Sequence, residues 1–251
     1  MAEPLLRLDQ VSKSFGALRV TDGVTLDIAE GELHALIGPN GAGKTSLIHQ
    51  LSGMLGPDRG RIFFDREDVT RLKMHARARR GLVRTFQITS ILPRFSALEN
   101  AALAAQSLRQ ASLSLFGDAA AEEDLNAEAM EALALVGLQD RARVKASELS
   151  HGEKRSLELA IALALKPKLL LLDEPMAGAG AAEGLRLVEI LRRLKARYTI
   201  LLVEHDMQAV FALADRISVL VNGRLIATGD PKEVRADAQV RAAYLGEGAP
   251  C

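Results

Sequence analysis

At 251 residues the chain can bury one large core or two closely packed subdomains, and 48% hydrophobic with 25% charged residues is an ordinary globular composition. Lys and Arg number 32, as do Asp and Glu, so no net field draws the chain toward nucleic acid or anionic lipid, and no nucleic-acid partner is expected. Cys251, the one cysteine, excludes an intrachain disulfide and a cysteine-rich metal cluster. No apolar run is as long as a bilayer span, and Glu3, Arg7 and Asp9 break any secretory leader. A cytosolic chain is expected, one that would need another polypeptide to cross a membrane.

Alternation in Leu5-Leu6-Arg7-Leu8 and Val24-Thr25-Leu26-Asp27-Ile28 predicts half-exposed strands, with Gly16, Gly23 and Gly31 as turns. Leu33-His34-Ala35-Leu36-Ile37 reads as a buried strand that ends in a glycine-rich loop, followed by a helical run over 45–51. From about 88 to 148 the texture changes to Ala, Leu and Glu. There Leu125, Ala129, Leu133 and Val136 recur at helical spacing and Gly137 stands where a C-cap would, which predicts a helical insertion. Beyond 149, Leu169 to Leu172 and Thr199 to Val203 are continuous apolar runs suited to a parallel sheet covered on both faces. Strands alternating with helices argue for an α/β core made of residues 1–87 and 149–251.

Gly38-Pro39-Asn40-Gly41-Ala42-Gly43-Lys44-Thr45, followed by Ser46, fits G-x-x-x-x-G-K-[ST] and lies between a strand and a helix, as that motif requires. Glycines let successive backbone N–H groups turn toward a β-phosphate, and the helix directs its positive end at the same anion. Lys44 would reach the β- and γ-phosphates of ATP, and the Thr45 hydroxyl would join a Mg²⁺ shell. Leu169-Leu170-Leu171-Leu172-Asp173-Glu174 completes such a site. Asp173 at the strand end would hold Mg²⁺ through water, and Glu174 would orient or deprotonate a water facing the γ-phosphate.

Leu149-Ser150-His151-Gly152-Glu153-Lys154-Arg155 is locally a capping box, Ser150 with Glu153, that opens a helix over 153–165 before Pro167. The whole run also resembles the signature of the ABC ATPases and precedes the Asp173 strand as it does in that family. The resemblance implies an α/β P-loop fold with an antiparallel β subdomain and an α-helical subdomain. It also implies that Ser150 and Gly152 bind the γ-phosphate held by another subunit. Phe15 resembles the aromatic that stacks on adenine, Gln87 the glutamine that touches Mg²⁺, and His205 the switch histidine that positions the attacking water.

Met176-Ala177-Gly178 and the ending from Gly229-Asp230-Pro231 to Ala243-Tyr244-Leu245-Gly246-Glu247 look like the branched-chain amino acid importer ATPases. That group implies a homodimer, or a heterodimer with a paralogous ATPase, on the cytoplasmic face of the plasma (inner) membrane. Its partners would be two transmembrane permeases and an extracytoplasmic solute-binding protein. Urea, amides or other small organic solutes are the alternative cargo; a soluble non-transport ABC ATPase or a nucleotide sensor is the alternative class.

Two departures stand out. His151 and Glu153 differ from the commonest signature spelling. Ala177-Gly178-Ala179-Gly180 replaces a loop that carries an acidic group across the dimer in the family, which leaves a pliable stretch with Glu183 as the nearest substitute. The basic residues Arg71, Lys73, Arg77, Arg79, Arg80 and Arg84 read as a solvated helix face, with contact to a permease loop as the alternative.

Overall fold

The computed structural model describes residues 3–85, 91–108 and 119–245. Strands β1 (Leu6–Phe15), β2 (Leu18–Ile28) and β3 (Leu33–Ile37) lead to helix α1 (Lys44–Ser52), then β4 (Arg59–Phe64), β5 (Glu67–Asp68), α2 (Met74–Ala78) and β6 (Leu82–Arg84). Helices α3 (Ala97–Leu108), α4 (Ala119–Leu135) and α5 (His151–Ala164) precede β7 (Leu169–Asp173), α6 (Ala181–Lys195) and β8 (Thr199–Val203). The chain continues through α7 (Met207–Leu213), β9 (Arg216–Val221), β10 (Arg224–Gly229), α8 (Pro231–Ala236) and α9 (Ala238–Leu245).

The strands form two sheets. One is antiparallel, in the order β2-β1-β4-β5. The other runs β10-β9-β3-β8-β7-β6, parallel except for β10. Every residue of β3, β7 and β8 is buried, and because side chains alternate along a strand each apolar run feeds two cores. Leu170 and Leu172 face one side with Ala160, Leu163 and Leu191. Leu169 and Leu171 face the other with Leu47, Leu51, Leu8 and Ile62, between α1 and the antiparallel sheet. The P-loop helix is thus clamped between both sheets, and the loops after β3, β7 and β8 emerge together at the carboxyl ends of parallel strands, where such folds bind ligands. His34 is tolerated in an otherwise apolar strand because Glu32 Oε1 (2.5 Å) and Ser218 Oγ (2.8 Å) satisfy both ring nitrogens.

Helix ends follow their chemistry. Gly137 terminates α4 with φ +76, and Ser150 caps α5 in a reciprocal box with Glu153, so the helix opens at His151. Gly16 and Gly31 are turns. Gly23 is not: it lies within β2 at φ +62, where the pairing with β1 slips, and its N–H donates to Ser12 Oγ at 2.8 Å. A strand bulge, not a chain reversal, needs that glycine.

The basic stretch is also not a solvated face throughout. Arg77 is 1% exposed and donates to the carbonyls of Gln50, Leu51, Leu72 and Thr70 at 2.7–3.0 Å. Gln50 and Leu51 belong to the last turn of α1, so the guanidinium caps that helix and complements its negative end. Arg84 is buried as well, and Arg80 pairs with Glu67 at 2.7 Å. Among the described residues, no helix is long and apolar enough to cross a membrane.

Candidate nucleotide site

The loop from Gly38 to Gly43 joins β3 to α1, and backbone proximity dictates its glycines. A Cβ on Gly38 would land on the carbonyl oxygen of Leu220, and one on Gly43 on that of Val20; Gly43 also has φ +105. Gly43→Ala is therefore expected to lower nucleotide affinity at least about tenfold, measured by titration with a fluorescent ADP, while the cores still melt cooperatively. Unchanged affinity would mean that the β2–loop contact does not shape the cradle. Gly43, at the N-cap of α1, offers no side-chain hydrogen bond to the first turn, so those N–H groups remain available to an anion. Within the same loop Pro39 is half-buried, Asn40 and Gly41 are exposed and Ala42 is buried.

Lys44, on the first turn of α1, is buried and donates to the carbonyls of Gly38 (2.6 Å) and Pro39 (3.1 Å). Burial lowers its pKa, opposed by the nearby charges of Glu174 and Asp173, so the loop lysine and both acids share one electrostatic field. Thr45 is exposed and Ser46 half-buried on the same turn.

Asp173 ends β7, and Glu174 follows with φ +49, a left-handed conformation unusual for a glutamate. The turn is held by the Glu174 N–H on the carbonyl of Val203 (2.9 Å) and the Ala177 N–H on that of Glu174 (3.0 Å). Asp173 Oδ2 accepts from Arg84 Nη2 at 2.8 Å, whereas Asp173 Oδ1 and Arg84 Nε are buried without a partner. A buried carboxylate oxygen with no donor, beside the lysine and the start of α1, suits a metal-bound water, so the residues present fit Mg²⁺.

His205 follows β8 with its ring exposed, and its backbone N–H donates to Glu204 Oε2 at 3.1 Å. Glu204 is fully buried and accepts the Met176 N–H on its other oxygen at 2.7 Å. One carboxylate thus ties the loop after β7 to the loop after β8. Phe15 is 53% exposed at the tip of the β1–β2 hairpin, with Lys13 Nζ 5.6 Å from its ring centroid. It is no core residue, and a flat exposed ring suits stacking on a base. Gln87 and Phe86 lie outside the described residues.

Ser150 and Gly152 do not join this group. With Glu183 and Arg186 they line a separate hollow of about 400 Å³ that contains no P-loop residue. Glu183 also turns out not to be a free acid: it pairs with Arg155 at 3.1 Å and packs against Gly152. Arg155 donates in addition to the carbonyl of Ala177 at 2.8 Å. The Ala-Gly loop that looks pliable is thus anchored by Arg155 at Ala177 and by Glu204 at Met176. Between the signature helix and β7, Arg155, Glu158, Asp173 and Glu174 line a further cleft of about 260 Å³. Burial there raises the pKa of Glu158, opposed by Arg155 and His151.

Sequence reasoning missed Arg84 and Glu204. An arginine directly after Leu82-Val83 and a glutamate directly after Thr199 to Val203 were the available signals: charges that end buried strands need partners.

Comparison with known proteins shows the family. The ABC transporter family model matches residues 21–177, and the model of the branched-chain amino acid ATP-binding cassette transporter matches residues 224–250. The high-affinity branched-chain amino acid transport ATP-binding protein LivG of Salmonella typhimurium is 37% identical, over 98% of this chain and 100% of LivG. The lipopolysaccharide export system ATP-binding protein LptB of Escherichia coli is 36% identical, over 96% of this chain and 97% of LptB. The crystal structure of an ABC transporter cassette in its ADP conformation superposes with a TM-score of 0.85 at 30% identity, covering 98% of this chain and 100% of that one. The chain belongs to the ABC transporter family, as an ATP-binding and ATP-hydrolysing subunit of a transporter.

Proposed function

We propose that this subunit powers import of small organic solutes, branched-chain amino acids first among them, by hydrolysing MgATP between two such subunits. The separation of Ser150 and Gly152 from the chain's own Lys44 loop carries the paired reading. Ser150 and Gly152, which line no hollow with the 38–45 loop of their own chain, have a use if they close over the loop of a second copy or a paralogue.

Within each site the backbone of the 38–43 loop and Lys44 hold the phosphates, and Phe15 stacks on the adenine. Thr45, Gln87 and Asp173 would hold Mg²⁺, which when bound neutralises phosphate charge. Glu174 takes the proton of the attacking water, and His205 orients that water, its backbone steadied by Glu204. Closure excludes solvent, and release lets the pair reopen. The helical insertion expected over about 88–148 would pass this motion to two membrane permeases, with the subunit peripheral on the cytoplasmic side and a binding protein delivering solute.

The match at residues 224–250 favours branched-chain amino acids, and the similarity to LptB supports export of a lipid as the second reading. Reconstituting the subunit with its permeases in vesicles separates the two. Import predicts that ATP turnover rises several-fold with leucine-loaded binding protein. Turnover that ignores binding protein but responds to lipopolysaccharide would replace import with export.

A further inference from the structure

Arg84 is a buried charge beside Asp173 that the proposed mechanism does not use. It ends β6, whose residue Arg84 is in register with Leu171 of the neighbouring β7, and it points along the sheet at Asp173. Its Nη2 lies 2.8 Å from Asp173 Oδ2, and both side chains are almost fully buried. Its Nη1 lies 3.1 Å from Met54 Sδ and its Nε has no partner. A guanidinium with one sulfur contact, one orphaned donor and one carboxylate is poorly served as a structural anchor. Arg77, each of whose three nitrogens donates to a carbonyl, shows what an anchor looks like in this same chain.

We infer that Arg84 is the internal counter-cation of Asp173: it neutralises that carboxylate in the metal-free protein and competes with Mg²⁺ for it. The inference rests on the reading of Asp173 as a metal-binding residue. Two cations that share one buried carboxylate oppose each other's hold on it, and by linkage each weakens the other equally. Arg84 would thereby keep the empty site from collapsing around an unpaired charge, at a cost in metal affinity. On this reading Arg84 is a positioning residue that acts through Asp173. If it only oriented the carboxylate, as neutral partners of metal ligands do, its loss would weaken metal binding instead. The two roles differ in sign.

The test is a Mg²⁺ titration of fluorescent-ADP binding to the purified full chain, with melting temperature recorded alongside. Arg84→Gln, which keeps a donor but removes the charge, is expected to lower the half-saturating Mg²⁺ concentration roughly tenfold. It should also melt lower without metal and gain more from Mg²⁺ and ADP than the parent does. Arg84→Lys should shift the midpoint in the same direction by less, and it carries the test alone should Arg84→Gln not fold. Asp173→Asn must abolish the Mg²⁺ dependence. If it does and the Arg84 variants show an unchanged or higher midpoint, competition is overturned while Asp173 stands. If Asp173→Asn keeps the full Mg²⁺ dependence, the metal reading of Asp173 falls, and the inference with it.

Discussion

Replacing Glu174 with Gln lowers ATP turnover by about 10²–10⁴-fold and leaves nucleotide affinity near that of the parent. The side chain leaves the end of β7 from a backbone held at φ +49 by the Val203 carbonyl. Such a conformation costs about 1–3 kcal/mol and persists only where surrounding bonds enforce it. Gln has the same shape and the same backbone demands, so the turn survives and the effect is confined to the missing proton acceptor. Lys44 loses one of the two carboxylates that favour its charged form, but Asp173 remains, and the phosphates supply further negative charge. ATP should therefore still bind, and because the paired state is no longer emptied by hydrolysis, it should accumulate. Size-exclusion chromatography with ATP is expected to show a dimer for this variant and mostly monomer for the parent. Undiminished turnover would remove Glu174 as the base, and lost ATP binding would make it a structural residue of the cradle.

Arg77→Leu destabilises the chain by about 3 kcal/mol or more, a fall of about 6–12 °C in melting temperature for a domain of this size. Four carbonyls lose a charged donor, and two of them close the helix whose other end faces the phosphates. A leucine fills part of the volume but leaves buried acceptors unsatisfied, which is the expensive half of the change. Burial pushes the Arg77 pKa down to about 10, with Asp68 opposing. The folded value lies below the unfolded one, so burying the charge opposes folding at every pH below about 10. Across the neutral range that cost is constant, and the difference in melting temperature between Arg77→Leu and the parent should be flat from pH 6 to 9. Arg77→Lys should recover only part of the loss, because a single ammonium cannot span carbonyls spread over two segments. Parent-like melting of Arg77→Leu would show that α1 does not need this cap.

The phosphate loop and the Asp173-Glu174 strand exit were legible because their chemistry is local. A cradle of N–H groups needs glycines at fixed spacing, and a strand buried on both faces needs an unbroken apolar run. Ser150 and Glu153 were legible as a cap for the same reason, since both partners lie within one turn. Phe15 was assigned only through the family resemblance, because an aromatic in a strand is equally at home in a core or at a hairpin tip. Its exposure follows from where β1 ends, which pairing with β2 sets.

Residues whose role depends on distant partners were misread or passed over. Arg77 and Arg84 counted as members of a basic run, yet one meets the end of α1 and the other meets Asp173, 89 positions away. Glu183 stood as a substitute for a missing acid, but Arg155 and Gly152 hold it within its own chain. Glu204 carried no role until the loops after β7 and β8 came together over its two oxygens.

By itself, then, the sequence determined the nucleotide chemistry and the alternation of strands and helices, since both are written in short-range spacing. Only the tertiary structure decided which charges are buried and with what they pair. Burial depends on which strands become neighbours, and the register of β6 beside β7 that sets Arg84 against Asp173 belongs to the folded chain alone.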